Sequence, residues 1–120
     1  MAKILIVDDS AFARNTLSRI VEHGGHEVVG RAENGSEAMA LFKSRNPELV
    51  TLDYLMEGQN GDDVLDEIMQ HDSSAKVIMI SGSGDHAIGA RALEGGAKFF
   101  LEKPLVFRDI LKVIDQVMVA

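Results

Sequence analysis

The sequence predicts an α/β fold: a doubly wound, five-stranded parallel sheet with helices on both faces. Short apolar runs alternate along the chain with stretches of helical period, the pattern of repeated β–α units. Two of the central runs are apolar throughout and a third is broken only by Thr51, as strands covered on both faces must be. The segments between them carry i, i+3, i+4 apolar stripes, each able to bury one helix face.

The first run is Ile4-Leu5-Ile6-Val7, and the helix after it offers Ala13, Leu17, Ile20 and Val21. Val28-Val29 reads as a short edge strand, because Gly30 and Arg31 follow at once; the next helix offers Ala38, Leu41 and Phe42 and stops before Pro47. Leu49-Val50-Thr51-Leu52 is the third strand, followed by a helix with Val64, Leu65, Ile68 and Met69. Val77-Ile78-Met79-Ile80 is the fourth. The helix after it, around Ile88 to Leu93, is the weakest, since Gly89 costs about 1 kcal/mol relative to alanine and Gly95-Gly96 ends it. Phe99-Phe100-Leu101 is the fifth strand, and the last helix has the clearest stripe, Ile110, Val113, Ile114 and Val117. No repeat, linker or low-complexity tract interrupts the pattern, and 120 residues fall within the ~100–200 of one domain. Residues 1–120 are therefore read as a single domain.

The net charge of −7 argues against direct binding of nucleic acid or of an anionic membrane, both of which need clustered Lys and Arg. No run approaches the ~20 apolar residues of a membrane span, and the first apolar run is too short for a signal peptide. The chain has no cysteine, which excludes disulfides and thiolate metal sites and is compatible with a reducing, cytoplasmic setting.

In doubly wound sheets ligands sit beyond the carboxyl ends of the strands. Strand one ends in Asp8-Asp9-Ser10, strand three in Asp53, strand four in Ser81-Gly82 and strand five in Glu102-Lys103-Pro104. Asp8, Asp9 and Asp53 should therefore converge. Two carboxylates ~4 Å apart repel by about 4 kcal/mol at an effective dielectric of about 20, and without compensation one stays protonated. A hard divalent cation relieves this, and Mg²⁺ prefers oxygen ligands. Lys103 supplies a second positive charge. Asp53, backed by a cation, a lysine and the Ser81 hydroxyl, then has what an acceptor carboxylate needs for phosphoryl transfer.

The whole chain resembles the response-regulator receiver domains of two-component signalling, of the stand-alone kind found in chemotaxis. The motifs that carry the likeness are Ile4-Leu5-Ile6-Val7-Asp8-Asp9, Ala32-Glu33-Asn34-Gly35-Ser36-Glu37-Ala38, Leu52-Asp53 followed by Met56 and Gly61, Ile80-Ser81-Gly82, Gly96-Ala97, and Phe100-Leu101-Glu102-Lys103-Pro104. The resemblance implies strand order 2-1-3-4-5. It implies that Asp53 takes a phosphoryl group from a sensor histidine kinase. Asp9, Asp53 and the Leu55 backbone carbonyl would hold Mg²⁺, with Asp8 acting through a bound water. Lys103 would contact the phosphoryl oxygens, and the Lys103–Pro104 bond would be cis. Ser81 would swing to the phosphoryl group and Phe100 would turn inward, driven by about −1.5 to −2 of added charge. The face built from helix four, strand five and helix five would then engage a downstream protein that the sequence does not name, with Met118 a candidate for that surface. The only chemistry expected is the chain's own phosphorylation at Asp53 and hydrolysis of the product.

Phe100 lacks a hydroxyl, so its switching would depend on packing alone, and three further residues depart from the family pattern. Glu57 stands where the family usually has proline. Leu55 offers no polar side chain to orient hydrolytic water, and Ser83, two past Ser81, is small. Together they leave the lifetime of the phosphorylated state open.

Other readings compete. Gly82-Ser83-Gly84-Asp85-His86-Ala87 matches G-x-G-x-x-A, with Glu102 near the offset of a ribose-binding acid, but too little chain follows for a second mononucleotide-binding half. An aspartate closing strand one also suits a phosphatase nucleophile, although that chemistry uses D-x-D and the acids here are adjacent. A module with this fold and no chemistry would not need the acids, Ser81 and Lys103 together. His23 and His26 read as surface residues, His71 as a favourable charge at a helix end, and His86 as a loop residue that could approach the site. Met56, Met69 and Met79 read as core.

Overall fold

The computed structural model describes residues 1–119. Ten elements alternate along the chain: β1 (Lys3–Val7), α1 (Ala11–His23), β2 (Glu27–Ala32), α2 (Gly35–Arg45), β3 (Leu49–Asp53), α3 (Gly61–His71), β4 (Val77–Ser81), α4 (His86–Glu94), β5 (Phe99–Glu102) and α5 (Phe107–Val119). All strand pairs are parallel, and the sheet order is β2-β1-β3-β4-β5.

The three central strands are buried at nearly every position, which is why their sequences are almost wholly apolar. Because side chains alternate across a strand, each strand feeds two cores. Leu5, Val7, Val50, Leu52, Val77 and Met79 point to a core closed by α2, α3 and α4. Ile4, Ile6, Leu49, Ile78 and Ile80 point to the opposite core, closed by Leu17 and Val21 of α1 and Ile110 and Ile114 of α5. At about 25 cal/mol per Å² of apolar surface removed from water, these two layers are the main source of stability.

Helix starts follow local chemistry. Ser10, Asn34, Asn60 and Asp85 are extended N-caps whose side chains accept from the amides of Ala13, Glu37, Asp63 and Ala87. At α2, Glu37 Oε1 also reaches back past the cap and accepts from the amide of Glu33, the residue before Asn34, at 2.9 Å.

Two expectations need correction. β2 is longer than Val28-Val29: its pairing with β1 skips Val29 and resumes at Gly30, Arg31 and Ala32. Hydrogen bonds to β1 carry the strand through residues of poor intrinsic β preference. His26 is not a surface residue. Its side chain is 7% exposed, Nδ1 accepts from the amide of Ala2 at 3.0 Å, and Nε2 lies 3.8 Å from Asp115 of α5. No periodicity announces a partner so far away in sequence. Among the described residues, no helix is long and apolar enough to cross a membrane.

Candidate functional site

The carboxyl ends of β1, β3 and β5 deliver the acids and the lysine to one place. Oxygens of Asp8, Asp9 and Asp53 all lie within 4.8 Å of one another. Lys103 Nζ stands 3.2 Å from Asp8 Oδ2 and 3.4 Å from Asp53 Oδ1. Asp8 and Asp53 are buried, whereas Asp9 is open to solvent. The Lys103–Pro104 bond is cis.

Three main-chain amides and one guanidinium hold the pocket in shape. The Ser10 amide donates to Asp8 Oδ1 at 2.9 Å, and the Arg14 guanidinium donates to the Asp8 carbonyl at 2.6 Å. The amide of Glu57 donates to Asp9 Oδ2 at 3.1 Å, a bond that the proline usual at this position has no N–H to make. Gly61 closes the β3–α3 loop: its amide donates to the Tyr54 carbonyl at 2.6 Å, and a Cβ there would lie 2.9 Å from the Asp53 carbonyl oxygen. Any side chain would push the loop away from the end of β3.

The electrostatics record an excess of negative charge. Burial, reinforced by the neighbouring Asp8 and less by Asp9, pushes the Asp53 carboxyl up to about 6, although Lys103 pulls it down. For Lys103 burial is the largest influence and favours the neutral amine, but Asp53 and Asp8 together outweigh it, and its pKa lies above the usual lysine range. One ammonium thus leaves three carboxylates undercompensated. An all-oxygen set of this spacing, still short of positive charge, fits a hard divalent ion such as Mg²⁺.

The remaining predicted residues differ in how closely they join this cluster. Ser81 is wholly buried at the end of β4, and its hydroxyl is engaged with Ser83. Phe100 is half-buried against the α2–α4 core, where its ring rests on Gly89: a Cβ at Gly89 would lie 2.7 Å from Phe100 Cδ2. The glycine that weakens α4 as a helix is what lets the ring lie against it. The Leu55 side chain is 69% exposed and takes no part in the pocket, leaving only its backbone available there. His86 is exposed, with Nδ1 3.9 Å from Glu102. Beside Asp53 a cavity of about 270 Å³ opens between α1 and the segment after β5, lined by Phe12, Thr16, Ile20, Ile80, Pro104 and Leu105.

Sequence reasoning missed the Glu57 amide, Arg14, Ser83 and Gly89. Glu57 and Ser83 had a signal as departures from the family pattern and Gly89 as the weak point of its helix, whereas Arg14 had none; what each touches is created by the fold.

A parallel 2-1-3-4-5 sheet carrying acids and a lysine on its strand ends defines a class of phosphoryl-accepting signalling domains. Residues 4–115 match the model of the response regulator receiver domain, and the chain belongs to that family. It is 40% identical over 115 residues to the chemotaxis protein CheY of Thermotoga maritima, covering 96% of both chains. In structure it is similar to the CheX–CheY–BeF₃–Mg²⁺ complex from Borrelia burgdorferi, at 37% identity and a TM-score of 0.93, covering 98% of this chain and 90% of that one. The receiver domain of NtrX from Brucella abortus gives 32% identity and a TM-score of 0.92, covering 98% of this chain and 99% of that one. The protein is a phosphorylation-activated signalling switch of two-component systems.

Proposed function

We propose that Asp53 is the phosphoacceptor, fed by a phosphohistidine on a sensor histidine kinase, and that residues 1–120 act as one receiver unit. The observation that carries this reading is Lys103 Nζ within 3.4 Å of Asp53 in a pocket shared with two further carboxylates. An Asp53 oxygen forms the new O–P bond as the P–N bond to the donor imidazole breaks, and the released imidazole takes its proton from water. Lys103 follows the charge from the carboxylate to the phosphoryl oxygens, giving the positional and electrostatic help this transfer needs. Asp9 and Asp53, with the Leu55 carbonyl and with Asp8 through water, would hold Mg²⁺, whose charge offsets that of the equatorial oxygens. Water later attacks phosphorus and Asp53 leaves as carboxylate. The chain is thus a switch with self-directed chemistry and not a turnover enzyme.

Ser81 and Phe100 are the switch residues of this reading. A phosphoryl group on Asp53 offers Ser81 a charged acceptor stronger than its present neutral partner. Phe100 turns inward as Ser81 moves, and the α4–β5–α5 face changes what it binds downstream. Phe100 has no hydroxyl, so its part depends on packing alone.

Intact-mass analysis after incubation with Mg²⁺ and acetyl phosphate tests the chemistry. Wild type should gain one phosphoryl group, Asp53→Asn none, and Asp9→Asn should lose Mg²⁺ binding measured by calorimetry. A phosphorylated Asp53→Asn protein would sink the assignment.

A further inference from the structure

The Ser81 hydroxyl is not idle in this structure. It accepts from the amide of Ser83 at 3.2 Å, and the two hydroxyl oxygens lie 3.2 Å apart. Among the described residues, every hydrogen bond of this buried hydroxyl is to Ser83. Ser83 is exposed, and its own hydroxyl accepts from the amide of Asp85 at 3.2 Å. Asp85 in turn is the N-cap of α4, with Oδ1 accepting from Ala87 at 2.9 Å. An unbroken series of short-range bonds therefore joins the hydroxyl at the end of β4 to the first turn of α4, and Ser83 is bonded both to Ser81 and to Asp85.

We propose that the Ser83 hydroxyl is a latch: a positioning group that holds Ser81 in its unphosphorylated orientation and ties that orientation to the start of α4. The proposal rests on the assignment of Asp53 as acceptor and Ser81 as switch. A backbone amide bonded to a serine hydroxyl two residues earlier is a common local turn; the bond between the two hydroxyls is the added element, and it exists only because residue 83 carries one. For Ser81 to reach a group on Asp53 it must give up both contacts. The hydroxyl–hydroxyl bond therefore stabilises only the state that the phosphoryl group must displace, and the apparent affinity of a ligand favouring the other state is reduced in proportion to the unlatched fraction. At 3.2 Å the bond is longer than the usual hydroxyl–hydroxyl distance of about 2.8 Å, which suits a contact meant to yield. When it yields, the Ser83 hydroxyl is free to turn, and the Asp85 amide that it accepts from is disturbed next. The movement of Ser81 is thereby passed to α4 along the chain, in addition to any passage through Phe100.

The test uses the full chain, Mg²⁺ at saturation and beryllofluoride as a phosphoryl mimic, followed by amide NMR. Ser83→Ala should bind beryllofluoride roughly 2- to 10-fold more tightly than wild type, the effect of removing one hydrogen bond from the resting state alone. Its affinity for Mg²⁺ without beryllofluoride should not change. In ligand-free Ser83→Ala, the amides of Ser81, Gly82 and Asp85 should lie part of the way toward their bound positions, and Ser83→Thr, which keeps a hydroxyl, should restore wild-type behaviour. Equal or weaker binding by Ser83→Ala overturns the latch and leaves Asp53 as acceptor untouched. A wild type that binds no beryllofluoride with Mg²⁺ present overturns both.

Discussion

Replacing Asp53 by asparagine should make the metal-free protein more stable at neutral pH. The carboxyl is pushed from an ordinary 3.8 to about 6 by burial and by Asp8. A folded-state pKa above the unfolded one means that the native protein holds a proton the unfolded chain has released, so stability falls as pH rises from 3.8 to about 6 and stays lowered above that window. About two units at 1.36 kcal/mol each set an upper bound of ~3 kcal/mol. The strand tip is reached by solvent, for Lys103 beside it is 32% exposed, and screening brings the cost to about 1–2 kcal/mol. Asparagine keeps the shape and carries no charge, while Lys103 retains Asp8 as a partner. At roughly 4 °C per kcal/mol for a chain of this size, Asp53→Asn should melt ~4–8 °C above wild type at pH 7 in the presence of a chelator. The gap should close near pH 4, where the wild-type carboxyl is protonated in the folded state, and should shrink or reverse in saturating Mg²⁺, which stabilises only the protein that binds it. Equal melting temperatures at pH 7, or a gap of the same size at pH 4, would refute the account of a buried, undercompensated carboxylate.

Thr51 Oγ1 is buried with no hydrogen-bond partner among the described residues, so Thr51→Val should raise unfolding free energy by about 1 kcal/mol in urea titrations; a loss would mean that the hydroxyl has a partner after all. Gly89→Ala should fail to deliver the ~1 kcal/mol of helix preference, because its Cβ meets Phe100, yet should deliver it in a Phe100→Ala background; a double-mutant cycle that is additive would remove the contact from consideration. Asn34→Ala should cost about 1 kcal/mol by thermal or chemical denaturation, since the side chain caps α2 through the Glu37 amide at 2.8 Å. A Glu57→Pro protein should bind Mg²⁺ more weakly than Glu57→Gln, because only the latter keeps the amide that holds Asp9; equal calorimetric affinities would deny the amide that role.

Much of this was legible in the chain. The runs at Ile4, Leu49 and Val77 are apolar because both sheet faces are covered, and that condition is readable as absence of alternation. The stripe in α5, with Ile110, Val113, Ile114 and Val117 all buried, is periodic enough to be assigned without tertiary information. The site acids were legible for a different reason: in a parallel sheet every strand points its carboxyl end the same way, so residues just past the strands must meet. Val28-Val29 misled because strand length at a sheet edge is set by the partner, here β1, and not by the strand's own residues. His26 misled because a histidine beside glycines looks like a turn, and the amide of Ala2 that it accepts from is 24 residues away.

Local chemistry and periodicity therefore determined the elements, their order, the caps and the identity of the acids, all of which depend on residues near one another in sequence. The seating of Phe100 on Gly89, the grip of the Glu57 amide on Asp9 and the raised pKa of Asp53 were decided only by the tertiary structure. Each depends on a distance of about 3 Å, or on a degree of burial, that arises where separate elements or the turns of a loop come together. Sequence spacing sets which groups can approach; packing sets how near they come and how much water remains between them.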